Sequence, residues 1–318
     1  MDPLQSLADA IVYGLLGLPP SGLLAGMLDY FIYDSLKVLL LLTAMIFLVS
    51  VLRTFVSRER VRQWLGGRRE GVGNVLAALL GIPTPFCSCS AVPLFIGFVR
   101  AGVPLGVTFS FLVASPMINE VALALLFALF GWPVALLYVI TGLAVAVLAG
   151  LLIGRLRLEG ELEPLDAREA KLYFKKVKMG WGQRMEFAKG QTAHLVSTVG
   201  PYVLAGVGLG ALIHGLAPVD WLSGVAGRGN PFGVVIAVLV GVPLYSNAAG
   251  VIPIVQALIG KGMAMGTALA FMMSVTALSL PEMMILRRVM KPKLLAAFIA
   301  ILAVSFVLVG LLFNAVLG

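Results

Sequence analysis

Cys87 and Cys89 are the chain's two cysteines, one residue apart within Thr84-Pro85-Phe86-Cys87-Ser88-Cys89-Ser90. Thiols at i and i+2 on an extended tip can ligate one soft metal or metalloid centre, because thiolates select soft partners. The same run of small residues can instead let a loop pack closely against neighbouring helices. A redox couple is the weaker reading, since a one-residue spacer strains a disulfide and CxxC is the commoner redox spacing. The second half of the chain offers hydrogen-bonding groups at Tyr245, Ser246 and Asn247. Two carboxylates, Glu120 and Glu282, lie deep in apolar surroundings beside Pro116 and Pro281, with Asn119 and Ser279 next to them. An ionisable group at membrane depth is costly enough to be a candidate proton relay or cargo contact. For Glu282 the alternative is an interfacial ion pair with Arg287 or Arg288.

The thiol string is half of a repeated element. Gly81–Pro93 reads GIPTPFCSCSAVP and Gly241–Pro253 reads GVPLYSNAAGVIP, 160 residues apart without a gap. That register pairs Gly81 with Gly241, Pro83 with Pro243, Pro93 with Pro253, Gly102 with Gly262, Gly106 with Gly266 and Phe111 with Phe271. It also sets Asn247 on Cys87 and Ala249 on Cys89, so the two tips differ chemically. Helices broken by Gly and Pro at matching places in two repeats point to a substrate site, because irregular backbone at membrane depth survives only where it is buried or lines a cavity.

Composition defines the elements that must hold these tips. Apolar residues make up 60% of the chain and charged residues 12%, which places it in the bilayer as an all-α polytopic protein. The net charge of +8 clusters beside membrane spans, so positive-inside retention explains it without nucleic acid. Spans are expected at about 31–53, 103–130, 132–154, 190–214, 264–286 and 294–317, each near the ~20 residues a bilayer helix needs. The regions 72–100 and 231–260 are broken, and their first arms of about 11 residues reach only ~16 Å. If both broken regions are re-entrant, the basic segments Arg58–Arg69, Arg155–Lys189 and Arg287–Lys293 share the cytoplasmic face. If both span, the lysines at 171–178 fall outside, against the bias. The re-entrant reading leaves three spans and one hairpin per repeat, and that odd count inverts the repeats. Residues 1–30 read as an interfacial segment interrupted at Pro19–Pro20 with no removable signal peptide, 31–154 as the first repeat, 155–189 as a cytoplasmic linker and 190–318 as the second repeat. The methionines read as packing residues, and His194 and His214 sit too far apart on one span to share a metal. No nucleotide-binding motif is present, so a proton or ion gradient, or a partner, supplies the energy.

The strings TPFCSCSAVPLF, ASPMINE, PLYSNAAGVIP and LSLPE resemble the predicted-permease family that includes ArsP-type organoarsenical efflux permeases, from about residue 30 onward. The resemblance implies a multi-pass plasma-membrane transporter, not an enzyme, exporting trivalent organoarsenicals such as methylarsenite. Trivalent arsenic is thiophilic, and a monomethylated form has two exchangeable positions that Cys87 and Cys89 could occupy. The expected binding set is then Thr84, Cys87, Ser88, Cys89, Ser90, Asn119, Tyr245, Ser246 and Asn247, with Glu120 and Glu282 as coupling carboxylates. Any metal contact falls to Cys87 and Cys89, and no cofactor is implied. Partners are a small-molecule or metalloid substrate and the lipid bilayer, with proton coupling and a homo-oligomer both compatible. The alternatives are a sulfur-compound or soft-metal permease, and a membrane thiol-redox protein.

Overall fold

The computed structural model describes residues 3–19, 22–54, 71–82, 88–100, 102–163, 180–216, 224, 226, 227, 230, 232–244, 248–287 and 289–317. These residues form helices and no strand. α1 (Pro3–Asp9) runs into a π-helical turn, Ala10–Leu15, and α2 (Leu23–Arg53) follows. Then come α3 (Val72–Gly81), α4 (Ser88–Arg100), α5 (Leu105–Met117) and α6 (Glu120–Arg155). The second half repeats the order with α7 (Trp181–Leu216), α8 (Gly233–Gly241), α9 (Ala248–Gly260), α10 (Met265–Ala277), α11 (Leu280–Leu286) and α12 (Pro292–Leu317). Helical stretches at Leu23–Leu48, Glu120–Arg155, Met265–Leu286 and Pro292–Leu317 are long and apolar enough to cross a membrane.

The 160-residue register read from Gly and Pro is the register of the helices themselves. α4 and α9, α5 and α10, and the first residues of α6 and α11 coincide under it. Gly102 and Gly262 both turn the chain with positive φ, 80° and 92°, a conformation glycine adopts without steric cost. Close approaches recur as well. A Cβ on Gly81 would stand 3.1 Å from the Ala114 Cβ, and one on Gly241 would stand 2.9 Å from the equivalent Ser274 Cβ.

Contacts give the direction of each helix. Asn74 near the start of α3 donates to Ser110 of α5 at 2.9 Å, while Gly81 at its end abuts Ala114 and Ser115, so α3 and α5 run the same way. α4 packs on α5, with Phe95 on Phe109 (5.1 Å) and Phe98 on Phe111 (5.0 Å). α3 and α4 are the two short helices of the first broken region. α5 packs antiparallel to the later part of α6, Gly106 against Gly150 and Gly154, and Met117 and Ile118 against Gly142. Gly131, with φ 81° and ψ 174°, separates that later part from residues 120–130.

The expected span at 103–130 is thus one crossing interrupted at Ile118–Asn119, and the expected span at 264–286 is interrupted at Leu278–Ser279. Four regions are broken where the sequence marked two. α7 also begins at Trp181, inside the stretch read as linker. α5 is buried throughout its 13 residues, and α10 from Gly266 to Ala277; a helix apolar on all sides belongs at the centre of a bundle.

Three hydrogen bonds tie the described ends of the basic segments to one another. The Arg184 guanidinium donates to the Thr54 hydroxyl at 2.7 Å, bringing the end of α2 to the start of α7. The Glu163 N–H donates to the Val289 carbonyl and the Lys291 N–H to the Glu161 carbonyl, both at 2.8 Å. The end of the first repeat's last crossing is thereby tied to the α11–α12 turn. Phe31 lies against Gly208 and Leu39 against Gly200, so α2 and its repeat counterpart α7 pack antiparallel. The described ends of the basic segments are thus tied in pairs, Thr54 to Arg184 and residues 161–163 to 289–291.

Candidate functional site

The site is built around the two interruptions. At the first, α5 ends with the Ile118 N–H on the Ala114 carbonyl, and Asn119 takes an extended conformation as the N-cap of α6. Its Oδ1 accepts from the Ala122 N–H at 2.7 Å and its Nδ2 donates to the Pro116 carbonyl at 3.3 Å. The buried Tyr138 hydroxyl donates to the Met117 carbonyl at 3.0 Å. Carbonyls freed by the break are therefore occupied from within the protein, as buried acceptors require.

The second interruption has the same backbone and different side chains. The Leu278 N–H bonds the Ser274 carbonyl at 2.9 Å, and the Met283 N–H bonds the Ser279 carbonyl at 3.1 Å, as Leu123 does to Asn119 in the first repeat. Ser279 replaces Asn119, Phe298 replaces Tyr138, and Glu282 replaces Ala122. Ser279 is 1% exposed, its hydroxyl has no hydrogen-bond partner, and it makes no capping bond to α11. Glu282 is likewise 1% exposed.

Glu120 and Glu282 are not structural counterparts. Glu120 is the first residue of α6 and is exposed; Glu282 is the third residue of α11 and is buried. Their 162-residue separation misses the helical register by two residues, which is about half a helical turn. Arg287 pairs with Glu163 at 3.2 Å across partly exposed side chains and donates to the Met290 carbonyl.

The thiol tip meets this region through its flanks. Thr84, Cys87, Tyr245, Ser246 and Asn247 lie outside the described residues. Ser88, Cys89 and Ser90 form the first turn of α4. α3 ends with Gly81 against Ser115, and α8 is held at its end by Leu280 N–H to Val242 C=O at 2.8 Å. α3 and α8 thus both end beside the helices that the interruptions divide.

One polar group escaped the sequence reading. α2 carries Asp29, Tyr33, Asp34, Ser35 and Lys37 within its apolar length. Gln5 bridges Asp9 (3.1 Å) and Asp29 (2.9 Å), while the Lys37 ammonium donates to the Tyr33 hydroxyl at 3.0 Å. Charged residues inside a span are themselves the signal that marks such a group.

Helices without strands among the described residues, four of them long and apolar enough to cross a membrane, define a multi-pass α-helical membrane protein. The model of a family described as predicted permeases matches residues 23–315, and the chain belongs to that family. UPF0718 protein YraQ of Escherichia coli (strain K12) is 28% identical over 283 residues, covering 89% of this chain and 79% of its own. UPF0718 protein MJ0584 of Methanocaldococcus jannaschii is 20% identical over 317 residues, covering 80% of this chain and 85% of its own. UPF0718 protein YcgR of Bacillus subtilis (strain 168) matches 102 residues at 28% identity, 32% of this chain and 34% of its own. No solved structure matches the chain.

Proposed function

We propose that this permease exports a small thiophilic solute, with trivalent organoarsenicals as the first candidate, through a site between the two hairpin tips and the two interruptions. The observation that carries the reading is where α3 and α8 end. α3, which precedes the thiol string in the chain, ends with Gly81 beside Ser115, and α8, which precedes the second string, ends with Val242 bonded to Leu280. Cys87 and Cys89 would supply two soft ligands from one tip, and Ser246 and Asn247 hydrogen-bonding groups from the other. Ligation must be partial, because a transporter has to release what it binds. Membership of the permease family supports transport over enzymatic or thiol-redox roles. The basic face is the cytoplasmic one, following the positive-inside bias. Of the two coupling carboxylates, Glu282 has the stronger case, since it is enclosed in protein beside an interruption whereas Glu120 is exposed.

Inside-out vesicles test the reading with methylarsenite, phenylarsenite, inorganic arsenite, copper(I) and thiosulfate. Accumulation of an arsenical that collapses in Cys87→Ser and Cys89→Ser, at unchanged protein level, is the expected result. Normal flux in both serine variants would reduce the thiols to packing elements. Transport of copper(I) or thiosulfate alone would move the assignment to a soft-metal or sulfur-compound permease.

A further inference from the structure

α2 packs on α7 through one side. Phe31 and Leu39 meet Gly208 and Gly200 of α7, and Ser35, Val38, Leu42 and Ile46, at helical spacing from them, are buried. Along another side run Tyr30, Asp34, Lys37, Leu41, Ala44 and Leu48, each partly or fully exposed. Steps of four, three, four, three and four residues give this stripe the ~3.5-residue period of a seam between two helices. α2 is also the least buried of the four membrane-length stretches, 24% against 33% to 82% for the others.

The outward face of a span meets lipid and is ordinarily apolar. Every exposed residue of α6 from Val134 to Gly154, and of α12 from Leu294 to Leu317, is apolar. α2 instead carries an acid and a base at its centre. Asp34 and Lys37 flank the middle of the 26-residue stretch Leu23–Leu48. Roughly 19 Å of helix separates that middle from either end, too far for a lysine to snorkel to the surface. Within one copy the Lys37 ammonium donates to the Tyr33 hydroxyl and lies 5.0 Å over that ring. The Asp34 Oδ2 is enclosed and has no hydrogen-bond partner, and rotation about the broad terminal torsion exchanges it with Oδ1.

A second copy covers this stripe with its own. Copies inserted in one orientation pair about a two-fold axis along the membrane normal, which sets α2 parallel to α2 with equal residues at equal depth. Asp34 of each copy then stands one layer, about 4.5 Å along the helix, from Lys37 of the other, and two identical ion pairs form. A lipid covers the stripe less well, because its headgroup lies at the bilayer surface and its acyl chain offers no charge. We infer that the Tyr30–Leu48 face of α2 is the interface of a homodimer, closed across the two-fold by reciprocal Asp34–Lys37 pairs. This goes beyond the transport reading and needs only that α2 spans the membrane, so the two fail independently.

Oxidative cross-linking of the full-length protein in native membranes tests the interface. Cys87→Ser and Cys89→Ser remove the native thiols, so that one introduced cysteine reports. With copper phenanthroline, Leu41→Cys should give a disulfide-linked dimer, while Leu308→Cys on the apolar face of α12, exposed to 61% against 45% for Leu41, should give little. Asp34→Lys and Lys37→Asp each oppose like charges and should cut the Leu41→Cys cross-link about fivefold or more, and the two together should restore it. Wild type extracted in native-lipid nanodiscs, a measurement that needs no substitution, should have the protein mass of two chains. Equal cross-linking of Leu41→Cys and Leu308→Cys overturns the inference, as does a wild-type mass of one chain, which would leave lipid or another protein on the stripe. So does a Leu41→Cys cross-link that neither charge reversal weakens, or that the paired reversal fails to restore, in variants that elute monodisperse.

Discussion

Replacing Gly106 or Gly266 with Ala tests the geometry of both repeats through a single methyl group. A Cβ on Gly106 would stand 2.5 Å from the Gly150 carbonyl oxygen, 3.0 Å from the Gly154 Cα and 3.2 Å from the Gly154 nitrogen. All three atoms are backbone. Ordinary contact begins at 3.4 Å, so α5 and the later part of α6 must separate by about 0.9 Å (3.4 minus 2.5), against interiors that are close-packed. At Gly266 the methyl meets the Gly310 carbonyl and comes within 2.5 Å of the Asn314 nitrogen and 2.6 Å of its Oδ1. Overpacking of this kind costs about 1–3 kcal/mol, and the helix preference of Ala over Gly offsets at most about 1 kcal/mol of it. Gly190 in α7 has nothing within 4 Å, and its Ala variant keeps only the propensity gain. Thermal unfolding in detergent, followed by tryptophan fluorescence, should show Gly106→Ala and Gly266→Ala melting several degrees lower, at about 2–4 °C per kcal/mol. Gly190→Ala should melt at or above wild type. The helix-packing assignment is wrong if Gly106→Ala melts with Gly190→Ala, and the repeat register is wrong if only one of Gly106 and Gly266 is sensitive.

Asn74→Val imports the residue found at Val234 and breaks the 2.9 Å bond to Ser110, costing about 1–2 kcal/mol. Adding Ser110→Ala, which copies Ala270, should recover part of that loss, and strictly additive melting shifts would refute the coupling. The Arg287–Glu163 pair has side chains 49% and 35% exposed, so Glu163→Gln should cost under about 1 kcal/mol and the difference should shrink in high salt; a larger, salt-independent loss would show that the contact is more than a surface pair. Cysteines introduced at Gly66 and Lys171 should label from the cytoplasm and one at Gly224 from outside. Labelling of Gly66 and Lys171 from opposite faces would rule out the re-entrant topology.

The positions legible in the sequence were those where physics leaves few residue choices. Gly81 and Gly241 had to be glycine because a Cβ would collide with α5 or α10, and Gly102 and Gly262 because φ is positive. Such constraints repeat whenever the fold repeats, so the 160-residue register emerged before any helix was drawn. Charge alone pointed to a shared face for the basic segments, the expectation that the cysteine-labelling experiment tests. Pro116 and Pro281 marked where the helices inside 103–130 and 264–286 could open locally, but the full division of each into two helices was not legible. Two residues of non-helical backbone do not lower the hydrophobicity of a span, and the prolines beside them, Pro116 and Pro281, do not align under the register. That misalignment also made Glu120 and Glu282 look equivalent when one begins a helix and the other lies two residues inside it. Asp34 and Lys37 escaped for a related reason, since an apolar run of span length absorbs two charges without ceasing to look like a span.

Duplication explains why the two interruptions share a backbone and differ in their side chains. Both halves need the same break, because each half-helix must end where its hairpin tip arrives, and the backbone meets that need identically in the two repeats. Side chains are free to diverge once the backbone is fixed. Closing the break with Asn119 and Tyr138 satisfies the buried carbonyls permanently and yields a rigid element. Leaving Ser279 without a partner and placing Phe298 where a hydroxyl stood costs stability, roughly 1–3 kcal/mol for each buried polar group left unsatisfied.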